Sequence, residues 1–405
     1  MAMKQTQTKL FDFSDVGLDF CAGSKTLFPD RFKKMLALGY NEQTVSSVTV
    51  AGNQVTFTYG GTHGYVADRV LKVNAPELLS INGGEFVIDN VTANTVTMTI
   101  DGAPTSMAGN FTTRVASLGW GLVYENANIH IYKFKALDES DLYLRLCFQD
   151  QPTRRNCISP CVGKTADLVA GAITDANALA ENRSIMSPAD GFKWDFQHTA
   201  GTTENNNTYS QGFTRFGGAM VVGSLYHLCV AFNNGSSTNS GQGGGRLSAI
   251  LPIASNYANL PIMLGEIYAA AGNGNINYLQ NAAAYLGNIQ VAFDSSSSNS
   301  PSTFIHAPQA ASSFIEVDEF NATSAQPMML FERATRQHLG YVAGGCYLAK
   351  YAADGAPSVA KADNPRMTME IDFSNKVVIS PVNLSGTTSS SAVYFAMPLE
   401  EIKIA

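Results

Sequence analysis

Glu316, Asp318 and Glu319 stand closest to chemistry in this sequence. They lie between Phe314 and Phe320, and on a strand Glu316 and Asp318 would share one face. Two acids so placed can serve a glycan hydrolase, provided that a groove holds facing carboxyl groups about 5 to 10 Å apart. They can equally hold calcium or form a solvated surface. A second acidic group, Asp138, Glu139 and Asp141, falls on an expected turn.

The other reactive residue types are scattered. Among the six cysteines, Cys157 and Cys161 are one residue too far apart for a redox Cys-x-x-Cys pair. With Cys147 they would supply three thiolates, but His198, the next histidine, is far outside zinc-finger spacing. Pairing, metal binding and free burial all stay open for Cys147, Cys157 and Cys161. Of the histidines at 63, 130, 198, 227, 306 and 338, His130 and His227 sit inside apolar runs, as core or interface residues do.

Sequence motifs for catalysis are missing. The glycines at 241, 243, 244 and 245 resemble a phosphate loop in composition only, because the Gly-Lys-Ser ending is absent and no strand precedes them. Neither a Gly-x-Ser-x-Gly elbow nor a His-Glu-x-x-His motif occurs. Arg154 and Arg155 fit either a neighbour's carboxylate or solvent, and Trp120, Trp194, Tyr124 and Tyr132 fit either subunit anchors or core. The chain is therefore expected not to be an enzyme, with no catalytic, cofactor-binding or metal-binding residue assigned and no cofactor required.

The elements that would position these residues are mostly strands. Residues 48–59 read as a hairpin around an Ala51-Gly52-Asn53 turn, and the runs 69–73, 84–88 and 95–100 complete a small β-module. Ahead of it, Pro29 and Asp30 open a short helix whose apolar residues are Phe32, Met35, Leu36 and Tyr40, with Arg31, Lys33 and Lys34 on its wet side. This strap packs on its own body or reaches a neighbour. Runs 120–124, 129–134 and 142–148 alternate with period two. In the last, Leu142, Leu144, Leu146 and Phe148 share a face, while Tyr143, Arg145 and Cys147 take a semi-polar outer one.

Residues 166–180, rich in alanine, read as a possible helix. Strand patterns return at 219–222 and 226–232 around a Gly223-Ser224 connector, at 247–253, and in five short runs between 328 and 399. Polar tracts at 202–210, 233–245 and 295–302 read as surface loops.

Composition narrows the partners. Of 405 residues 45% are hydrophobic, enough for two or three domains, but only 15% are charged against roughly 25% in ordinary soluble domains. Serine, threonine, asparagine, glutamine and glycine must carry the exterior, or neighbouring chains must cover it. A net charge of −7 without a basic block offers nothing to nucleic acid. No run reaches the roughly 18 apolar residues of a membrane span. The first eight residues lack the apolar core of a signal peptide, which implies synthesis in the cytoplasm.

Two stretches carry a family resemblance. The module around Gly64, Tyr65 and Asp68 to Val73, with 81–88 and 95–100, resembles a small immunoglobulin-like domain of tailed-bacteriophage virion proteins. The stretch from Gly119 and Trp120 to Arg145, with 226–230 and 247–252, is similar to phage structural proteins in which a Gly-Trp segment, a strand ending in Tyr-Leu-Arg and a later apolar strand follow in that order. Here Cys147 and Phe148 replace a more acidic continuation, so the resemblance carries over no ion or ligand role there.

The resemblance implies a virion component of the tail, baseplate or head-to-tail region, assembled in the host cytoplasm as a ring of copies and bound to other phage structural proteins. A receptor- or glycan-binding tail module, meeting a host-surface glycan, and a tail glycan hydrolase are the alternatives. The expected fold is all-β: a strap with a short helix over residues 1–44, a small immunoglobulin-like domain over 45–103, and a large antiparallel β-sandwich body with minor helix and long polar loops over 104–405.

Overall fold

The computed structural model describes residues 8–150, 156–188, 191–196, 209, 218–233, 245–255, 260–265, 283–293, 325–351, 365–369, 376–381 and 392–399. The acids at 316–319, Arg154, Arg155, His198, His306, the tract 295–302 and nearly all of tracts 202–210 and 233–245 lie outside them. The protein is all-β, built from antiparallel sheets with one short α-helix among the described residues.

The chain opens with strand β1 (Lys9–Asp12), then the helix α1 (Phe28–Lys33), which has proline in its first turn and runs into one wider π-type turn, Lys34–Leu38. Gly39 ends that turn at φ +76°. Seven strands follow as one sheet: β2 (Tyr40–Ala51), β3 (Gln54–Tyr59), β4 (Val70–Asn74), β5 (Glu85–Val87), β6 (Asn90–Val91), β7 (Thr95–Thr99) and β8 (Phe111–Val115), in the order β5-β4-β8-β2-β3-β7-β6. The hairpin read at 48–59 is β2 and β3, with Gly52 at φ +66° in its turn.

This sheet curls on itself. Its two nominal edges, β5 and β6, are one run broken only at Ile88 and Asp89. Ile88 still bonds Arg69 beside β4, while the Asp89 N–H already donates to Thr97 of β7. Val55, Phe57, Leu71, Phe86, Val96 and Met98 fill the interior. The sheet takes in residues on both sides of 45–103, since β2 starts at Tyr40 and β8 lies between β4 and β2.

The next sheet holds β9 (Gly121–Asn126), β10 (Ile129–Lys135), β11 (Asp141–Phe148) and β12 (Cys157–Gly163). The hairpin β13 (Ala166–Asp167) and β14 (Ala172–Ile173) stands beside it, and β15 (Trp194–Asp195) completes it in the order β15-β12-β11-β10-β9. The helix expected over 166–180 does not form; this stretch is the β13–β14 hairpin, loop and the start of a single 3₁₀ turn at Ala180–Asn182. Turn chemistry outweighs the alanines. The Asp167 carboxylate accepts the N–H groups of Val169 and Ala170, Gly171 takes φ +67°, and Asp175 accepts from Lys164 and Asn177.

A ten-stranded sheet forms the centre: β16 (Ala219–Gly223), β17 (Leu228–Asn233), β18 (Gly245–Leu251), β19 (Ile253–Ala254), β20 (Ile262–Leu264), β21 (Ala284–Leu286) and β22 (Ile289–Ala292), joined by β1 and by two strands of the last part of the chain. That part consists of β23 (Ala325–Pro327), β24 (Met329–Glu332), β25 (His338–Val342), β26 (Tyr347–Tyr351), β27 (Arg366–Met369), β28 (Lys376–Pro381) and β29 (Ala392–Pro398). The central order is β1-β16-β17-β18-β20-β21-β22-β24-β25-β19, and β23-β26-β29-β28-β27 make the C-terminal sheet. Here again one run serves two edges: β18 and β19 are separated only by Pro252, which has no N–H to donate.

The turn between β16 and β17 falls later than the Gly223-Ser224 connector suggests. It runs from Ser224 to His227, closed by the Ser224 N–H on the His227 carbonyl at 3.0 Å, so Tyr226 and His227 belong to the turn. The Ser224 side chain builds it, accepting from the Tyr226 N–H and pairing with His227 Nδ1 at 2.7 Å.

The strap packs on its own chain. β1 is the edge strand beside β16, and Phe13, Phe20, Phe28 and Phe32 run ring against ring to Phe148, Phe196 and Phe232 of the body. Two buried ion pairs tie it to the N-terminal sheet: Lys9 with Glu85 at 2.7 Å, and Asp15 with Arg69, which grips it through two bonds of 2.8 and 2.9 Å. The Tyr40 hydroxyl donates to the same carboxylate at 2.7 Å.

Candidate functional site

The face of β11 that carries Tyr143, Arg145 and Cys147 is not an outer one. Register places Arg145 opposite Cys161 and Cys147 opposite Ser159, so Arg145, Cys147, Ser159 and Cys161 form one layer on β11 and β12. Residues 164–188 lie over it, and all four side chains are buried. Arg145 holds this cover down: its Nε donates to the Gly171 carbonyl and its Nη2 to the Ile185 carbonyl, both at 2.7 Å. Its Nη1 has no hydrogen-bond partner among the described residues, and no carboxylate pairs with it there. Burial pulls its pKa below the ordinary arginine value, against the pull of the neighbouring thiols.

Burial also pushes the Cys147 thiol up to about 11 and the Cys161 thiol up to about 12, opposed by the Arg145 charge. Thiols so protonated are poor nucleophiles and poor metal ligands. All six cysteines are buried and none is in a disulfide, and no group of three or more metal-ligating side chains assembles among the described residues.

The cover presents apolar side chains outward. Leu168 and Val169 form the tip of the β13–β14 turn, with Val169 93% exposed, and Met186 is 66% exposed. The hold of one guanidinium on both Gly171 and Ile185 keeps these two parts of the cover together. Gly171 lies flat on the Tyr124 ring of β9, where an added Cβ would stand 2.4 Å from the ring. The apolar tip therefore sits beside β9, the edge strand of its sheet. The helix reading concealed this tip, since Leu168 and Val169 fit an apolar helix face. The sequence signal was an apolar pair between Asp167 and Gly171, at the crest of a turn rather than its base.

A second feature lies where the β10–β11 turn meets the body. A groove of about 180 Å³ is lined by Lys135, Asp138, Tyr226, Pro252, Leu260 and Pro261, among others. Each of the three acids expected there is engaged locally. Asp138 caps the turn by accepting from the Ser140 hydroxyl and N–H, which hold its carboxyl below the usual range. Glu139 accepts from the Tyr226 hydroxyl. Asp141 bridges Lys133 and Lys135, at 2.6 and 3.0 Å, and these bonds lower its pKa.

Most of the remaining described candidates are core residues, while His338 at the start of β25 is exposed. His130 Nδ1 pairs with the Tyr132 hydroxyl at 2.9 Å, and burial pushes its pKa down to about 4, partly offset by Glu125. His227 is fully buried and pushed down to about 3. Trp120, Trp194 and Tyr132 are buried within the chain, and only Tyr124 of the four aromatic candidates reaches the surface in part. No helix among the described residues is long and apolar enough to cross a membrane. No protein-family model matches the chain, and no curated protein matches it.

Proposed function

We propose that this chain is a structural or adaptor component of a tailed-phage particle, assembling with sister subunits in the tail or baseplate. The observation that carries the reading is the apolar tip of Leu168, Val169 and Met186 beside the edge strand β9, on a molecule with few charges. A 93% exposed valine at the crest of a turn gains nothing for the isolated fold, and its burial against another chain is favourable. Sparse charge lowers the cost of desolvating such a contact.

The immunoglobulin-like character of the N-terminal module belongs to this proposal, with the single curled sheet as the form it would take here. So do a closed ring of copies, contacts with other particle proteins and a final place in the virion after assembly in the host cytoplasm.

The test combines solution mass with particle composition. Light scattering across a concentration series is expected to give a mass above that of one chain, and Val169→Asp to shift it toward the monomer by tenfold or more in apparent dissociation constant, while the melting temperature stays unchanged. Immunogold labelling should then find the chain on purified particles. A monomer at every concentration that is also absent from particles refutes the reading.

The groove favours a second reading, a receptor- or glycan-binding tail module. It sets the Lys135 and Asp138 side chains beside the apolar rings of Pro252 and Pro261, a combination suited to the mixed faces of a sugar. Glycan-array binding that Asp138→Ala abolishes would place the groove, rather than the apolar tip, at the centre of the function.

A further inference from the structure

Side chains along β17 alternate between two cores. Leu228, Val230 and Phe232 enter the core shared with the N-terminal sheet, and Cys229 and Ala231 enter the one beneath the C-terminal sheet. Cys346 enters that second core one residue before β26, and both cysteines are fully buried. The preceding glycine brings the two together. Gly345 takes φ +83° and lies against the His227 ring so closely that an added Cβ would stand 2.6 Å from Cδ2. The Cys229 thiol donates to the Gly345 carbonyl at 3.7 Å, one residue from Cys346, whose own thiol donates to the Tyr347 carbonyl at 3.8 Å.

We propose that Cys229 and Cys346 are a latent cross-link, two thiols buried in one core with Cys229 against the carbonyl that adjoins Cys346, which oxidation joins into a disulfide between the central and C-terminal sheets. Contacts of the other four cysteines include Ser24 for Cys21, Arg145 and Asn128 for Cys147, Gln149 for Cys157, and Arg145 and the Leu179 carbonyl for Cys161.

With a peroxide as oxidant the chemistry closes. One sulfur, having lost its proton to solvent, attacks hydrogen peroxide; the O–O bond breaks, a sulfenic acid forms, and the departing hydroxide takes up a proton as water. The second sulfur displaces the sulfenic hydroxyl, the S–S bond forms, and a second water leaves with the second thiol's proton. Two electrons pass from the sulfur pair to the peroxide. Burial holds the Cys346 thiol well above the ordinary thiol range, so the pair stays reduced until the core opens to solvent.

The full chain, purified with reductant and then held with hydrogen peroxide in mild denaturant, tests it. It should lose two of its six thiols on counting after full denaturation, lose the mass of two hydrogens, and yield one linked peptide pair carrying Cys229 and Cys346. The oxidised chain should also melt at a higher temperature, because the cross-link closes a long loop in the unfolded state. Cys346→Ala should form no intramolecular link. A link mapped to any other pair in the unmutated chain, such as Cys147 with Cys161, overturns the proposal, as does retention of both thiols after prolonged exposure.

Discussion

Arg145 carries a charge into the interior with two carbonyl partners, no carboxylate among the described residues, and one unpaired nitrogen. Such a group holds geometry at a cost in solvation, so its replacements should separate by shape. Arg145→Ala leaves a void and frees the cover, and should cost about 2 to 4 kcal/mol in denaturant unfolding. Arg145→Met fills the space without a charge to desolvate and should cost far less. In both, Cys147 and Cys161 should react faster with a thiol reagent under native conditions, and unchanged rates would mean that Arg145 does not hold the cover.

The two buried imidazoles give a pH dependence of definite sign. The unfolded chain takes up protons near pH 6.5, whereas folded His130 and His227 refuse them until about 4 and about 3. Their contribution is complete above that upper pH and is lost as pH falls through the window, at roughly 1.4 kcal/mol per pH unit for each histidine. Denaturation midpoints should fall accordingly between pH 6.5 and about 5, and imidazole NMR signals of both residues should stay nearly flat there. A titration near 6.5 at either position would contradict its neutral burial.

At the scale of elements, the strap acts as a clasp, and Asp15 with Arg69 is one of the two buried pairs that close it. Asp15→Ala leaves the Arg69 guanidinium uncompensated beside Tyr40 and should cost about 3 to 5 kcal/mol. Adding Arg69→Met should recover much of the loss, a coupling that a double-mutant cycle measures directly. Alternation made the strands legible in the sequence: Leu142, Leu144, Leu146 and Phe148 do share the core face, and Pro29 does open the helix. Period two assigns residues to faces but cannot name what covers each face, so alternation alone puts Arg145 and Cys147 on an outer face that residues 164–188 in fact cover. Asp15 and Arg69 lie far apart in sequence, and neither position carries a local signal of its partner. The apolar tip was illegible for a different reason, because Leu168 and Val169 suit a buried helix face as well as an exposed turn.

At the scale of the whole molecule, the core does not divide where the sequence suggests a domain. One continuous set of buried side chains runs from Val55 and Phe57 through Phe28 and Phe32 to Phe148, Val230 and Ile250. Closure of the N-terminal sheet also depends on β8, which lies outside 45–103 and separates β4 from β2. Residues 45–103 alone would leave the facing edges of β4 and β2 unpaired, and would lose both ion pairs to the strap and the Tyr40 hydroxyl. That fragment should show no cooperative melting by circular dichroism. The full chain should unfold with far-ultraviolet signal and tryptophan fluorescence in step, since Trp120 and Trp194 report on the body while much of the strand signal comes from the N-terminal sheet. A fragment that melts cooperatively by itself, or two separated transitions in the full chain, would mean that strap and β8 decorate an independent module instead of completing it.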